Sequence, residues 1–128
     1  MKTEGINWIL APTRNFPEMV AFFRDVMGMP VTEEGVPVTD TQFSRYALLK
    51  MPTGAALELV EPKENVAHLY NAPVVSLTVD DVVQARQQLE STQVDFVTPI
   101  FDTKKGWGWT YFRAPDGTLF QLQGPYKQ

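Results

Sequence analysis

The sequence predicts an α+β protein: two paired βαβββ modules forming a curved mixed sheet around a concave pocket, with the helices on the outer face. Three observations lead there. The order strand, helix, strand, strand, strand can be read twice along the chain, two windows beginning at Tyr46 and Trp109 align without a gap, and the strands alternate between apolar and polar positions. With 128 residues, 44% of them hydrophobic, the chain can bury one sizeable core but not two independent ones.

Residues 5–11 are rich in β-formers and are closed by Pro12, so they read as a strand. Asn15 stands where a helix cap belongs, with Pro17 in the first turn. Phe16, Val20, Phe23 and Met27 then fall on one helical face, and Gly28 supplies the stop. Residues 31–34 form a short strand, 35–40 a turn-rich connection and 42–51 a longer strand. Pro52, Thr53 and Gly54 turn the chain into the strand 55–60. A linker, 61–72, leads to the second pass. Residues 73–79 read as a strand, and Asp80 or Asp81 caps a helix with Val82, Ala85 and Leu89 on one side. Strands follow at 94–100 and 106–113, then an Asp-Gly turn at 114–117 and a last strand at 118–123. The first module covers about residues 5–62 and the second about 72–125.

In the aligned windows Pro52 meets Pro115, Gly54 meets Gly117, Leu59 meets Leu122 and Pro62 meets Pro125. This alignment sets the phase of the strands. Phe120 and Leu122 are apolar and should face a helix, which sends Leu119, Gln121 and Gln123 to the opposite face. Leu57 and Leu59 face a helix in the same way, leaving Glu58 toward the pocket as the counterpart of Gln121. In the first strand of each module, Trp8 corresponds to Val74.

Composition removes several function classes. Eleven Lys and Arg against fifteen Asp and Glu give a net charge of -4 with no block of like charge, so nucleic acids and anionic membranes are not the expected partners. Cysteine is absent, which excludes a disulfide scaffold, a thiolate metal site and a Cys nucleophile. His68 is the one histidine, where catalytic zinc and non-haem iron centres ordinarily take two or three imidazoles. The amino-terminal stretch is interrupted by Asn7, Pro12 and Arg14 before any signal-like core could form, so a cytoplasmic location is expected. No glycine-rich phosphate loop and no Ser–His pairing stands out.

What remains is aromatic and acidic. Trp8 should lie on the pocket face, and Trp107 and Trp109 belong to the strand that enters the pocket wall, where flat apolar rings suit a planar ligand. Gly106 and Gly108 around them leave backbone bare, which fits close ligand approach and equally a bulged strand. Ordinary packing is the competing reading for each Trp. A carboxylate at Glu58 needs a partner or a shifted protonation state: it either pairs structurally with Arg45, Lys50, Arg113 or Gln121, or it anchors a cationic group of a ligand. Asp80 and Asp81 are read as caps, and Arg24 and Asp25 as exposed.

The segments F-F-R-D-V-M-G-M-P from Phe22, L-E-L-V-E-P from Leu57, L-T-V-D-D-V from Leu77 and Y-F-R-A-P-D-G-T-L-F-Q-L from Tyr111 resemble the vicinal oxygen chelate superfamily of glyoxalases, bleomycin-resistance proteins and extradiol dioxygenases. The resemblance spans nearly the whole chain and implies paired βαβββ modules and a homodimer. In the family's enzymes a divalent metal is held by His or Glu from the first and fourth strands of each module, slots that fall here on Trp8, Glu58, Val74 and Gln121. Only Glu58 matches. The resemblance therefore implies the metal-free branch, similar to bleomycin-resistance proteins: a protein that binds a small planar or amphipathic molecule, such as an antibiotic, without a cofactor. The candidate ligand-binding set is Trp8, Tyr46, Glu58, Trp107, Trp109, Tyr111 and Gln121. The alternative is a metal-dependent lyase, isomerase or dioxygenase with a rearranged site built from Glu58, Gln121 and His68. A third reading is an interaction subunit whose cavity is filled by its own aromatic side chains.

Overall fold

A computed structural model describes residues 1–127. They divide into two compact units, one of residues Asn7–Val74 and one holding Met1–Ile6 with the chain from Val75 onward.

The first unit carries most of strand β1 (Thr3–Pro12), helix α1 (Phe16–Ala21) and strands β2 (Val31–Gly35), β3 (Phe43–Lys50) and β4 (Ala56–Pro62). Its strands lie in the order β2-β3-β4-β1, with β1 parallel to β4 and the other neighbours antiparallel. The apolar alternation of β3 and β4 decides which face is covered. Ala47, Leu49 and Leu59 pack against Phe16 and Val20 of α1, with Leu57, Ala11 and Met29 around them. Leu57 and Leu59 thus face the helix, as the phase argument requires. Full burial of a side chain such as Leu59 contributes about 1.5–3 kcal/mol.

Two expectations for this unit need correcting. Asn15 stands at the helix start but its side chain makes no capping bond; instead its own N–H donates to Thr13 Oγ1 at 3.0 Å, closing a local turn. And α1 does not run on as a regular helix. It widens into a π-helical turn, Phe22–Val26, in which the Met27 N–H reaches back to the Phe22 carbonyl. The extra residue rotates the following positions off the buried face. Phe23 still packs on the core, but Met27 is 57% exposed. Gly28, at φ +72°, ends the element in a conformation that favours glycine. The linker is also more ordered than its composition indicated, since Glu64–Leu69 forms a 3-10 helix.

The second unit repeats the plan with strand β5 (Val74–Val79), helix α2 (Val82–Ser91), strands β6 (Asp95–Phe96), β7 (Phe101–Asp102), β8 (Trp107–Arg113) and β9 (Leu119–Pro125). β5 lies parallel to β9, β9 antiparallel to β8, and β6 and β7 both pair with β8. Each unit therefore ends on a strand laid parallel to its first. Asp81, not Asp80, caps α2 by accepting the Gln84 N–H at 3.1 Å. Val82 and Ala85 are buried with Val79 and Leu122, and Leu89 packs beside them.

The single strand expected at 94–100 is two short pieces. Pro99 has no N–H to give a ladder, and the Thr98 carbonyl is taken by the Arg86 guanidinium at 2.7 Å, so the regular ladder stops at Phe96 and resumes at Phe101, while Val97 N–H still donates to the Tyr111 carbonyl and Thr98 Oγ1 accepts the Tyr111 N–H. The turn at 114–117 is as expected: Gly117 N–H donates to the Ala114 carbonyl, and Asp116 Oδ1 accepts from Thr118 N–H. No helix is long and apolar enough to cross a membrane among the described residues.

Candidate functional site

In the first unit the register fixes what lies on the face turned away from α1. Leu10, Glu58, Leu48 and Glu33 form one cross-strand row; Trp8, Ala56 and Lys50 form the row on one side of it, and Val60, Tyr46 and Gly35 the row on the other. Trp8, Tyr46 and Glu58 therefore share a face. Trp8 and Glu58 touch: the indole Nε1–H donates to Glu58 Oε1 at 3.0 Å.

This indole is a different partner from those expected. Arg45 is spent on Glu61, which it grips through two nitrogens at 2.9 and 3.0 Å while lying over the Phe16 ring. Arg113 donates to the Gly117 carbonyl instead. Among the described residues no cation is salt-bridged to Glu58. Its side chain keeps a little surface, but the carboxyl is ringed by protein, and burial pushes its pKa up from 4.5 to about 7. The Trp8 hydrogen bond opposes that rise, while the carboxylates of Asp40 and Glu33 add to it. Burial also raises the Tyr46 phenol, with Glu33 and Glu58 contributing.

Two of these neighbours escaped the sequence reading. Asp40 is 4% exposed and accepts the Gln42 N–H at 3.1 Å. Its signal was the Asp-x-Gln turn that such a bond closes, in a stretch read only as a connection. Glu33 stands two residues from Val31, which packs toward α1, and regular alternation would put both on that side; an irregularity in the β2–β3 register between them turns Glu33 to the Glu58 row instead.

In the second unit Tyr111 is opposite Gln121 and Trp109 opposite Gln123, with Ser76 and Thr78 of β5 opposite the two glutamines. Trp107, Trp109, Tyr111 and Gln121 therefore also share the face turned away from their helix. Gln121 Nε2 donates to the Tyr111 hydroxyl at 3.1 Å, Gln123 Nε2 to Ser76 Oγ at 2.7 Å, and Trp107 Nε1 to Gln123 Oε1 at 3.0 Å. Trp109 packs on Phe101, ring centres 6.4 Å apart. Ser76 and Gln123 were not among the candidate residues, though the alternation of β9 already turned Gln123 to this face. Their hydrogen bonds make the face a polar network that holds its aromatic rings in place.

The donor chemistry can be tested against a divalent cation. At the four family positions, Trp8 presents an N–H and no lone pair, Val74 is apolar and 2% exposed, and the Gln121 amide nitrogen donates to Tyr111; Glu58 alone is anionic. His68 is exposed on the 3-10 helix. Among the described residues no three His, Cys, Asp or Glu are grouped so as to hold a metal ion. The residues present do not fit a divalent metal, which requires several anionic or imidazole ligands converging.

A family model described as "Glyoxalase/Bleomycin resistance protein/Dioxygenase superfamily" matches residues 5–122. No curated protein matches the chain. Among solved structures, methylmalonyl-CoA epimerase from Mycobacterium tuberculosis is similar over 98% of this chain and 90% of its own, with a TM-score of 0.77 at 21% identity. The Streptomyces coelicolor methylmalonyl-CoA epimerase in complex with 2-nitronate-propionyl-CoA gives 0.74 at 20% identity, over 98% of this chain and 100% of its own. A hypothetical protein from Bacillus halodurans C-125 gives 0.76 at 13% identity, over 99% and 98%. At these identities the likeness establishes the fold.

Proposed function

The chain belongs to the glyoxalase/bleomycin resistance protein/dioxygenase superfamily, and from that premise we propose that it binds a small planar or amphipathic molecule bearing a cationic amine, without a metal ion. The observation that carries this reading is the Trp8–Glu58 hydrogen bond. It puts an indole ring and a carboxyl side by side, an aromatic surface for a flat ligand next to an anion for its charge. A carboxyl whose pKa is about 7 is half-protonated at neutrality, so an approaching cation ionises it and gains a charge-assisted bond. Drug sequestration of the bleomycin-resistance kind is one use of such a site.

A second reading rests on the same carboxyl. A partly buried Glu titrating near neutrality is matched to proton transfer, and two of the similar structures are epimerases. Here Glu58 would take a proton from a carbon acid and return it, with Tyr46 as a neutral donor beside it.

The experiment is a thermal-shift screen of planar cationic compounds on untagged protein, with their neutral isosteres alongside, repeated on Glu58→Gln and Trp8→Ala. A ligand that binds only the folded state raises the melting temperature. The binding reading expects shifts from the cationic members that disappear in both variants. Shifts that persist in both, or none at all, overturn it. Loss of a substrate proton to solvent deuterium, abolished in Glu58→Gln, would establish the second reading instead. Elemental analysis after incubation with divalent metals tests the donor argument, since near-stoichiometric metal would refute it.

A further inference from the structure

The first unit contains a cleft of about 370 Å³ that neither Trp8 nor Glu58 lines. It lies where β1 and β4 end, walled on one side by Pro12, Thr13 and Arg14 and on the other by Glu61 and Pro62, with Glu64 and Tyr70 from the linker closing it. The walls are fixed independently of any ligand. Thr13 N–H is bonded to the Val60 carbonyl at 2.9 Å and Asn15 N–H to Thr13 Oγ1 at 3.0 Å, which holds the backbone on both sides of Arg14. Lys63 N–H donates to the Gln42 carbonyl, anchoring the start of the 3-10 helix, and the 3%-exposed Tyr70 donates its hydroxyl to Gln42 Oε1.

The charges around this cleft are unequal in what they have left to offer. Glu61 is neutralised by the two-nitrogen grip of Arg45. Arg14 and Glu64 enter no ion pair among the described residues, so the cleft presents one available guanidinium and one available carboxylate. A guanidinium matches a carboxylate through two parallel hydrogen bonds, and a carboxylate accepts from an ammonium. We propose that this cleft is a second binding site, for a small zwitterion of free amino acid or dipeptide size, its carboxylate on Arg14 and its ammonium on Glu64. The volume falls at the small end of ligand sites, which suits a molecule of that size. The site is independent of the Trp8–Glu58 reading, because the two use different residues.

The test uses L-alanyl-L-alanine with its N-acetylated and its C-amidated forms, each titrated into the full chain and followed by amide chemical shifts. Saturable shifts at Thr13, Ala67 and Asn71 are expected with the zwitterion. Either capped form should bind about tenfold more weakly. Arg14→Gln should abolish the preference for a free carboxylate, and Glu64→Gln the preference for a free ammonium. Both side chains are exposed, and unchanged amide shifts in the first unit away from the cleft, at Leu49 and Leu59, verify that each variant folds. No saturable shifts at these amides, equal binding of the capped forms, shifts that survive Arg14→Gln undiminished, or shifts that centre on the Trp8 indole would each overturn the proposal.

Discussion

Trp8 and Glu58 meet across the parallel pair β1 and β4, the indole N–H giving the carboxyl a hydrogen bond at 3.0 Å in surroundings that raise its pKa to about 7. This is a costly arrangement for an anion, because desolvation outweighs the single donor. The folded protein consequently binds the Glu58 proton more tightly than the unfolded chain, whose carboxyl keeps its ordinary 4.5.

That difference fixes how stability depends on pH. Below about 4.5 the group is protonated in both states and contributes its full share; between 4.5 and about 7 the unfolded chain loses the proton first, so stability falls as pH rises. The loss through this window is a few kcal/mol. Glu58→Gln keeps the shape and never ionises. It should be more stable than the parent at pH 8, equal to it at pH 4, and flat across the window, as read by urea denaturation at each pH. A parent protein whose stability is the same at pH 5 and pH 8 would contradict the buried-carboxyl account.

The hydrogen bond itself has a separate signature. Because Trp8 lowers the Glu58 pKa, Trp8→Phe removes the donor while keeping an aromatic ring, and the carboxyl should titrate above 7. The side-chain carboxyl carbon of Glu58, followed by NMR against pH, reports the midpoint directly. A midpoint that stays put or falls would mean the indole is a packing neighbour only.

How far the sequence disclosed all this depends on which force positions each residue. Glu58 and Gln121 were assigned their faces correctly, because period-two alternation beside Leu57, Leu59 and Leu122 leaves no other face for them once the helices cover the leucines. The partner of Glu58 was not legible. Ion-pair and hydrogen-bond reasoning offers Arg45, Lys50, Arg113 or Gln121, yet the Arg45 guanidinium is drawn to Glu61 directly opposite it on β4 and to the Phe16 ring, Arg113 donates to the Gly117 carbonyl and Gln121 to the Tyr111 hydroxyl. The contact with Trp8 depends on parallel pairing between segments fifty residues apart, which periodicity does not encode. Met27 was misplaced for a similar reason. A helical wheel presumes a regular turn, and the π-helical turn at Phe22–Val26 breaks that premise without a marker such as Pro.

The repeat makes a quantitative expectation. Leu59 and Leu122 are aligned in sequence, occupy equivalent strands and are 0% and 1% exposed in their respective cores. Each Leu→Ala change should therefore cost about 2–5 kcal/mol, transfer loss plus a cavity. Because they sit in separate clusters, the double variant should lose about the sum of the two. Guanidinium denaturation of the three variants measures this, and costs under about 1 kcal/mol at either site would mean that its core is not packed as described.

Gln123 offers a test of whether the polar face of the second unit is structural. Its amide bridges two groups, accepting from Trp107 Nε1 and donating to Ser76 Oγ, and Ser76 is wholly buried. Gln123→Leu preserves bulk but strands the Ser76 hydroxyl and leaves the half-exposed Trp107 N–H to solvent, and an unsatisfied buried polar group costs about 1–3 kcal/mol. Removing the stranded hydroxyl as well should recover part of that loss, because two apolar groups in contact have nothing left to satisfy. Ser76→Ala in the Gln123→Leu background is thus expected to be less harmful than Ser76→Ala alone, a coupling that a double-mutant cycle reads as non-additivity. The Trp107 emission spectrum supplies the independent readout. Losing its hydrogen bond at 37% exposure should shift emission toward that of a solvated indole in Gln123→Leu and leave it unmoved in Ser76→Ala. Strict additivity with no spectral change would show that the glutamine fills space on this face and holds neither residue.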